Sequence, residues 1–235
     1  MIKLIDILEN KILVSRRSRE ERQKNYLIAI QKKVQQYIKD GSKGDLNLKN
    51  TPITSLPNNL QVGGYLDLGN TPITSLPNNL EVGEGLYLSN SKITSLPNDL
   101  KVRGFLDLYN TSITSLPNNL QVGKSLNLAN TLITSIPNNL QVGGYLDLGN
   151  TPITSLPNDL KVRGFLDLYN TSITSLPNNL QVGKSLNLTN TQITSLPNNL
   201  KVEGYLNLKK TPLSKEYSEE EIRKMVPGVK GGIYT

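Results

Sequence analysis

From Asp45 to Leu208 one pattern returns every 20 residues. Residues 64–80, GYLDLGNTPITSLPNNL, are one copy of it. A fixed period of this size constrains a chain more than any composition does. Each unit is too short to bury its own apolar face, so the units must stack side by side and share one continuous core. Residues 93–128 are identical to 153–188, and 57–78 are identical to 137–158. Duplication of whole repeats accounts for both.

Within the period, two Leu residues spaced by one recur nine times: Leu46/Leu48, Leu66/Leu68, Leu86/Leu88, Leu106/Leu108, Leu126/Leu128, Leu146/Leu148, Leu166/Leu168, Leu186/Leu188 and Leu206/Leu208. Alternation at a period of two is the mark of a strand with one buried face. After each strand come a Thr or Ser (Thr71, Ser91, Thr111), an Ile (Ile73, Ile93, Ile113), a Leu-Pro and a pair such as Leu80/Val82. These give six aliphatic anchors per turn, each worth roughly 1.5–3 kcal/mol when fully buried. The return path is too short for a helix, and its Pro (Pro57, Pro77, Pro97) disfavours α conformation before it. An extended or polyproline-like return is expected, with a parallel sheet of about nine short strands, roughly 40 Å long. The Thr is expected to point inward and donate its hydroxyl to a loop carbonyl, since a buried hydroxyl needs a partner. The Asn before it (Asn70, Asn90, Asn110) sits where the strand turns away. Either residue could supply the ladder between repeats.

The ends are different. Residues 2–14 read as a short helix with Leu4, Ile5, Leu8, Ile12 and Leu13 as its apolar stripe, broken at Ser15-Arg16-Arg17. Ser18 and Glu21 have capping-box spacing, which predicts a second helix with Leu27, Ile30, Val34, Tyr37 and Ile38 on its apolar face and a stop at Gly41. The two would form a hairpin capping the first strand. After Leu208, Ser218 and Glu221 form another capping box, opening a short helix to about Met225. Gly231-Gly232 and the final Ile-Tyr-Thr are expected to be loosely held. The expected organisation is thus 1–43 N-terminal helical cap, 44–208 repeats, and 209–235 C-terminal cap and tail.

The chain has no Cys, His or Trp. Disulfides, thiolate or imidazole metal sites, and Cys or Ser-His nucleophilic catalysis are thereby excluded. The net charge of +7 is unevenly placed. Residues 1–43 hold 11 Lys/Arg against 5 Asp/Glu, residues 44–208 hold 9 against 10, and 209–235 hold 6 against 4. No apolar run reaches the roughly 18 residues of a membrane span. A soluble, intracellular, monomeric protein is expected, without metal or cofactor and without a membrane partner.

The pattern L-x-L-x-x-T-x-I-x-x-L-P-x-x-L, as in Leu66 to Leu80, resembles the leucine-rich repeat family in its short 20-residue bacterial form. It is similar to the repeat regions of bacterial effector proteins, whose repeats also carry Leu-Pro behind an N-terminal helical hairpin, and to repeat proteins of phage and environmental bacteria. If phage-encoded, the protein would work in the host cytoplasm. The resemblance implies an α+β solenoid: a curved stack with helical caps at both ends. Two departures stand out. Thr replaces the usual inward Asn, and the first Leu of the pattern is Gly63, Arg103 or Gly123. The ubiquitin ligase activity of some such effectors needs a domain and a Cys that this chain lacks.

In such a stack the residues flanking the strand Leu pairs face solvent on the concave sheet. All eight aromatics of the repeats fall there: Tyr65, Tyr87, Phe105, Tyr109, Tyr145, Phe165, Tyr169 and Tyr205. Asp67, Asp107, Asp147 and Asp167 share the face, with Asp147 beside Asp167. Aromatics beside polar groups are the composition of a protein-binding surface, although Tyr and Phe also stiffen sheets. The like charges suggest a cationic partner, or relief from Arg103 and Arg163. Arg16, Arg17, Arg19, Arg22 and Lys24, with Lys32 and Lys33, offer an alternative function in attaching nucleic acid or another polyanion. A catalytic use of the paired carboxylates would need a pocket to shift their pKa values, so no enzyme is expected.

Overall fold

A computed structural model describes the backbone of residues 2–235 and the side chains of all of these except 2–14 and Arg17. The chain divides into two units, Met1–Ser42 and Lys43–Thr235.

The first unit is one helix, α1 (Ile2–Lys39). The expected hairpin is absent. No Gly or Pro occurs before Gly41, and Ser-Arg-Arg is no barrier to a helix, because Arg is among the better helix formers. Ser18 does not cap a second helix; its hydroxyl donates back to the Ser15 carbonyl at 2.9 Å, inside the helix. The stripe assigned to residues 4–13 lies outside the described side chains. Of the second predicted face, Ile30 and Val34 are buried, Leu27 and Tyr37 are half-buried and Ile38 is exposed. The stop falls at Gly41, whose φ of 85° is left-handed. Gly41 N–H donates to Ile38 and Ser42 N–H to Tyr37, the paired bonds of a Schellman end.

The second unit is the stack. Nine two-residue strands, from Leu46–Asn47 to Leu206–Asn207, pair in parallel and in register, Leu on Leu. A tenth is added by Ile233–Tyr234, which pairs with Leu206–Asn207. The C-terminal residues expected to be loose are therefore part of the sheet. The ladder runs past the formal strands: Leu66, Leu68 and Asn70 N–H groups donate to Gly85, Tyr87 and Ser89 carbonyls at 2.8, 2.8 and 2.9 Å.

The return path carries no helix among the described repeats. Instead its Gln-Val, Glu-Val and Lys-Val pairs form a second parallel sheet of eight strands, Gln61–Val62 through Lys201–Val202. The two sheets enclose the anchors. In the repeat from Leu66, the residues Leu66, Leu68, Ile73, Leu76, Leu80 and Val82 are all buried. Two short helices, α2 (Pro212–Glu216) and α3 (Glu219–Met225), follow the last repeat. Thr211 caps α2, which was not foreseen, and the Ser218–Glu221 capping box opens α3 as expected.

Asn and Thr divide the work that either could have done. Each buried Thr donates to the strand carbonyl three residues before it in its own turn, as Thr71 to Leu68 at 2.6 Å and Thr151 to Leu148 at 2.6 Å. The Asn before it sits at positive φ, 54° at Asn70, and at Asn70, Asn110, Asn170 and Asn190 it reaches the previous turn: Asn70 Nδ2 donates to Asn50 Oδ1 at 2.9 Å, and Asn190 to Asn170 at 2.6 Å. Thr closes its own turn; Asn ties one turn to the next.

Candidate functional site

The face of the ten-stranded sheet away from the core is built by pairing register. Leu on Leu places Asn47, Asp67, Tyr87, Asp107, Asn127, Asp147, Asp167, Asn187, Asn207 and Tyr234 in one column. The residues before and after each Leu pair make a flanking column on either side. Among the described residues every predicted aromatic stands on this face. Tyr109, Tyr145, Phe165, Tyr169 and Tyr205 are exposed, while Tyr65, Tyr87 and Phe105 are half-buried.

The rings are arranged locally rather than as one stack. Tyr65 and Tyr87 lie 5.7 Å apart and tilted by 34°. The gap between them is Gly85, where a Cβ would come within 2.9 Å of the Tyr65 ring and 3.3 Å of the Tyr87 ring. Hydrogen bonding to Glu84, and after it that carboxylate's charge, holds the Tyr65 pKa above the ordinary Tyr value. Lys124 Nζ lies 5.4 Å from the Phe105 ring centre, and Lys184 repeats this over Phe165 at 5.4 Å. At the far end Tyr205 meets Tyr234 edge-on at 5.7 Å, with Lys209 5.8 Å from the Tyr234 ring. Tyr234 belongs to the face and was missed. It follows Leu208 by more than one period, and only the Ile-Tyr pair after Gly-Gly hinted at a strand.

The carboxylate column has a structural duty that its charge concealed. Asp67, Asp107, Asp147 and Asp167 each accept, through Oδ1, the N–H two residues on, at 2.8–3.0 Å. Asn47, Asn127, Asn187 and Asn207 make the same bond at 3.0–3.2 Å. These are Asx turns, which end the strand, and Asp and Asn serve equally. The interchange of Asp and Asn down one column was the signal. Asp147 and Asp167 are direct register partners, as expected. Arg103 and Arg163 relieve neither of them; both line an open groove on the return side with Lys101 and Lys161. Among the described residues no ion pair involves a carboxylate of this column. Burial pushes the Asp147 pKa up, the Gly149 N–H pulls it back, and the charges of Asp167 and Asp107 add to the rise. Burial likewise raises the Tyr87 and Tyr145 hydroxyls, with Asp107 the leading charge in both.

The basic residues of α1 do not form one stripe. At 100° per residue, Arg16 and Arg19 project on the side of Leu27, Ile30 and Val34, Lys24 projects to one flank, and Lys32 and Lys39 project roughly opposite. The Arg17 side chain lies outside the described ones. Arg22 Nε donates to the Ser18 carbonyl at 3.1 Å. Among the described residues no cluster of three acidic groups is placed to hold a metal ion, and no helix is long and apolar enough to cross a membrane.

No family model and no curated protein matches the chain in sequence. Solved structures match it in fold. A Shigella effector LRR domain superposes with a TM-score of 0.51 at 20% identity, covering 89% of this chain and 88% of that one. A chain from the Toll–Spatzle complex of Drosophila superposes with a TM-score of 0.53 at 17% identity over 81% of this chain. The match spans only 31% of that longer chain. With its 20-residue turns, its Leu-on-Leu parallel sheet and these neighbours, the protein has the fold of a short-repeat leucine-rich repeat solenoid.

Proposed function

We propose that the chain is a non-catalytic scaffold that binds a protein partner on the solvent face of its ten-stranded sheet. The observation that carries this is the segregation of aromatics. The core of the stack is aliphatic, while Tyr65, Tyr87, Phe105, Tyr109, Tyr145, Phe165, Tyr169 and Tyr205 all stand on one face. Large rings left in water next to Asp67, Asp107, Asp147 and Asp167 are the anchors that dominate protein interfaces. The leucine-rich repeat solenoid is a scaffold generally used for protein interaction, which agrees with this use. The partner is a protein with cationic or mixed charge, and the scaffold works as a monomer.

The test replaces Tyr109, Tyr145, Phe165 and Tyr169 with Ser and compares capture of a partner isolated with the unaltered protein. Loss of capture with circular dichroism unchanged is expected. Retained capture overturns the reading. A parallel protein with Arg16, Arg19, Arg22 and Lys24 changed to Glu examines polyanion attachment through α1. Its expected result is capture unchanged, because those charges do not converge on one side of the helix.

A further inference from the structure

Over the five strands from Tyr65 to Asp147 the sheet face carries a second period, twice the repeat, which ends where Phe165 with Asp167 follows on the very next strand. Tyr65 with Asp67, Phe105 with Asp107 and Tyr145 with Asp147 each set an aromatic ring beside a carboxylate, two strands apart. Between them stand Gly85 with Tyr87 and Ser125 with Asn127, and both Gly85 and Ser125 are buried. Ser125 is drawn in by its bond from the Tyr145 N–H at 3.0 Å. The ring-and-carboxylate pairs of this stretch therefore form three ridges, with the Tyr87 ring standing in the first gap between them. Parallel strands are about 4.8 Å apart, so the ridges recur about every 9.6 Å.

Few protein conformations share that spacing. An α-helix laid across the strands repeats every 5.4 Å, about 10.8 Å per two turns, and drifts out of phase within a few ridges. A β-strand returns a side chain to the same side about every 6.8 Å, which matches neither one strand nor two. A polyproline-II helix has three residues per turn at 3.1 Å each, so its same-side residues recur at about 9.3 Å. That agrees with the ridges to a few tenths of an ångström per turn.

The charge also has a sign. One oxygen of each of Asp67, Asp107 and Asp147 accepts a backbone N–H, and no ion pair among the described residues neutralises any of them. The Lys124 and Lys184 ammonium groups above Phe105 and Phe165 show that rings on this face hold cations. These two lysines stand at the beginning of their strands, and among the described residues neither they nor Lys49 or Lys209 form an ion pair with Asp67, Asp107 or Asp147.

We infer that the partner presents an extended polyproline-II segment with a Lys or Arg at every third residue, lying across the strands with its cations at Asp67, Asp107 and Asp147. The proline rings pack between Tyr65, Phe105 and Tyr145, as such segments pack into aromatic-lined grooves. This rests on the reading that the face binds protein, and it names the chemistry of what is bound.

Fluorescence anisotropy on the full chain tests it. The probes are labelled peptides of Pro-Pro-Lys repeats, Pro-Pro-Pro-Lys repeats with the same number of Lys, and Pro-Pro-Glu repeats. The period-three cationic peptide is expected to bind at least about tenfold more tightly than the other two. Changing Asp67, Asp107 and Asp147 together to Asn keeps the strand-ending N–H bonds, as Asn127 and Asn187 do, and removes only charge. That protein is expected to lose at least about tenfold in affinity while its urea midpoint is not lowered. Equal binding of the period-four peptide, or no loss in the Asn protein, overturns the inference. Peptides selected from a random display library separate the two levels. If their binding is lost in the Tyr109, Tyr145, Phe165, Tyr169 Ser variant but they lack cations three apart, the inference falls and the protein-binding reading stands. If no selected peptide responds to that variant, both fall.

Discussion

Residues 93–128 and 153–188 have one sequence and two surroundings. Their cores are alike: Leu106 and Leu166 are 1% exposed, and Ile113 and Ile173 are fully buried. Their faces are not. Phe105 is half-buried and Phe165 is exposed. Asp107 accepts a hydrogen bond from the Ser89 hydroxyl of the turn before it. At the matching place before the second copy stands Gly149, which has none to offer, and Asp167 accepts Asn187 Nδ2 at 3.0 Å from the turn after it. With identical residues inside, only the neighbouring turns can make these differences. The interior of a turn is set by its own sequence; the surface it shows is set jointly with the turns on either side.

The strongest way to break that comparison is in the core. Leu106→Ala and Leu166→Ala are each expected to cost about 2–5 kcal/mol, the usual range for a cavity in a packed core. Because their surroundings match, the two costs should agree to within about 0.5 kcal/mol in urea unfolding. A larger gap would mean that position in the stack, not the local turn, governs stability.

A smaller effect sharpens it. Ser91 lies just ahead of the first copy, where Thr151 lies ahead of the second. Among the described residues the buried Ser91 hydroxyl has no hydrogen-bond partner, while Thr151 donates to the Leu148 carbonyl at 2.6 Å. Ser91→Thr makes the two settings alike and is expected to stabilise by about 1 kcal/mol, the usual net worth of a hydrogen bond. A thermal midpoint that does not rise would show that Ser91 already finds a partner.

The smallest effect concerns charge. Asp147 precedes the second copy and is the register partner of Asp167 on the next strand, whereas the first copy follows Tyr87 in that column. The Asp147 pKa is raised in the fold, chiefly by burial, so folding favours its protonated form. Its ionisation therefore takes stability away as pH rises from the ordinary carboxylate value near 3.8 through the raised one. Asp147→Asn keeps an acceptor for the Gly149 N–H and removes the charge. It should raise the unfolding midpoint slightly at neutral pH and flatten that part of the pH profile. An unchanged profile would place the titration elsewhere.

Much of this was legible in the sequence because the repeat states its own register. Twenty residues between Leu pairs can only stack Leu on Leu, and the face columns follow from alternation. The errors fell where periodicity was silent. The helix over residues 2–39 was split at Ser15, where polar residues interrupt the apolar spacing without interrupting the backbone. Tyr234 was left out because it reaches the sheet through α2 and α3 instead of a turn of standard length. The Asp column was read by its charge alone, although Asn in the same column needs no charge to do the same job.

The sequence by itself determined the solenoid, the aliphatic core and the side on which the aromatics stand, since all three depend on contacts that repeat every turn. The tertiary structure decided what does not repeat: the closing strand from the C-terminus, the partner that Asn or Thr takes, the ring pairs, and which carboxylate has its pKa raised. Those depend on atoms brought together from unlike turns or distant segments. No local pattern encodes such meetings, because their energies exist only once the chain has folded.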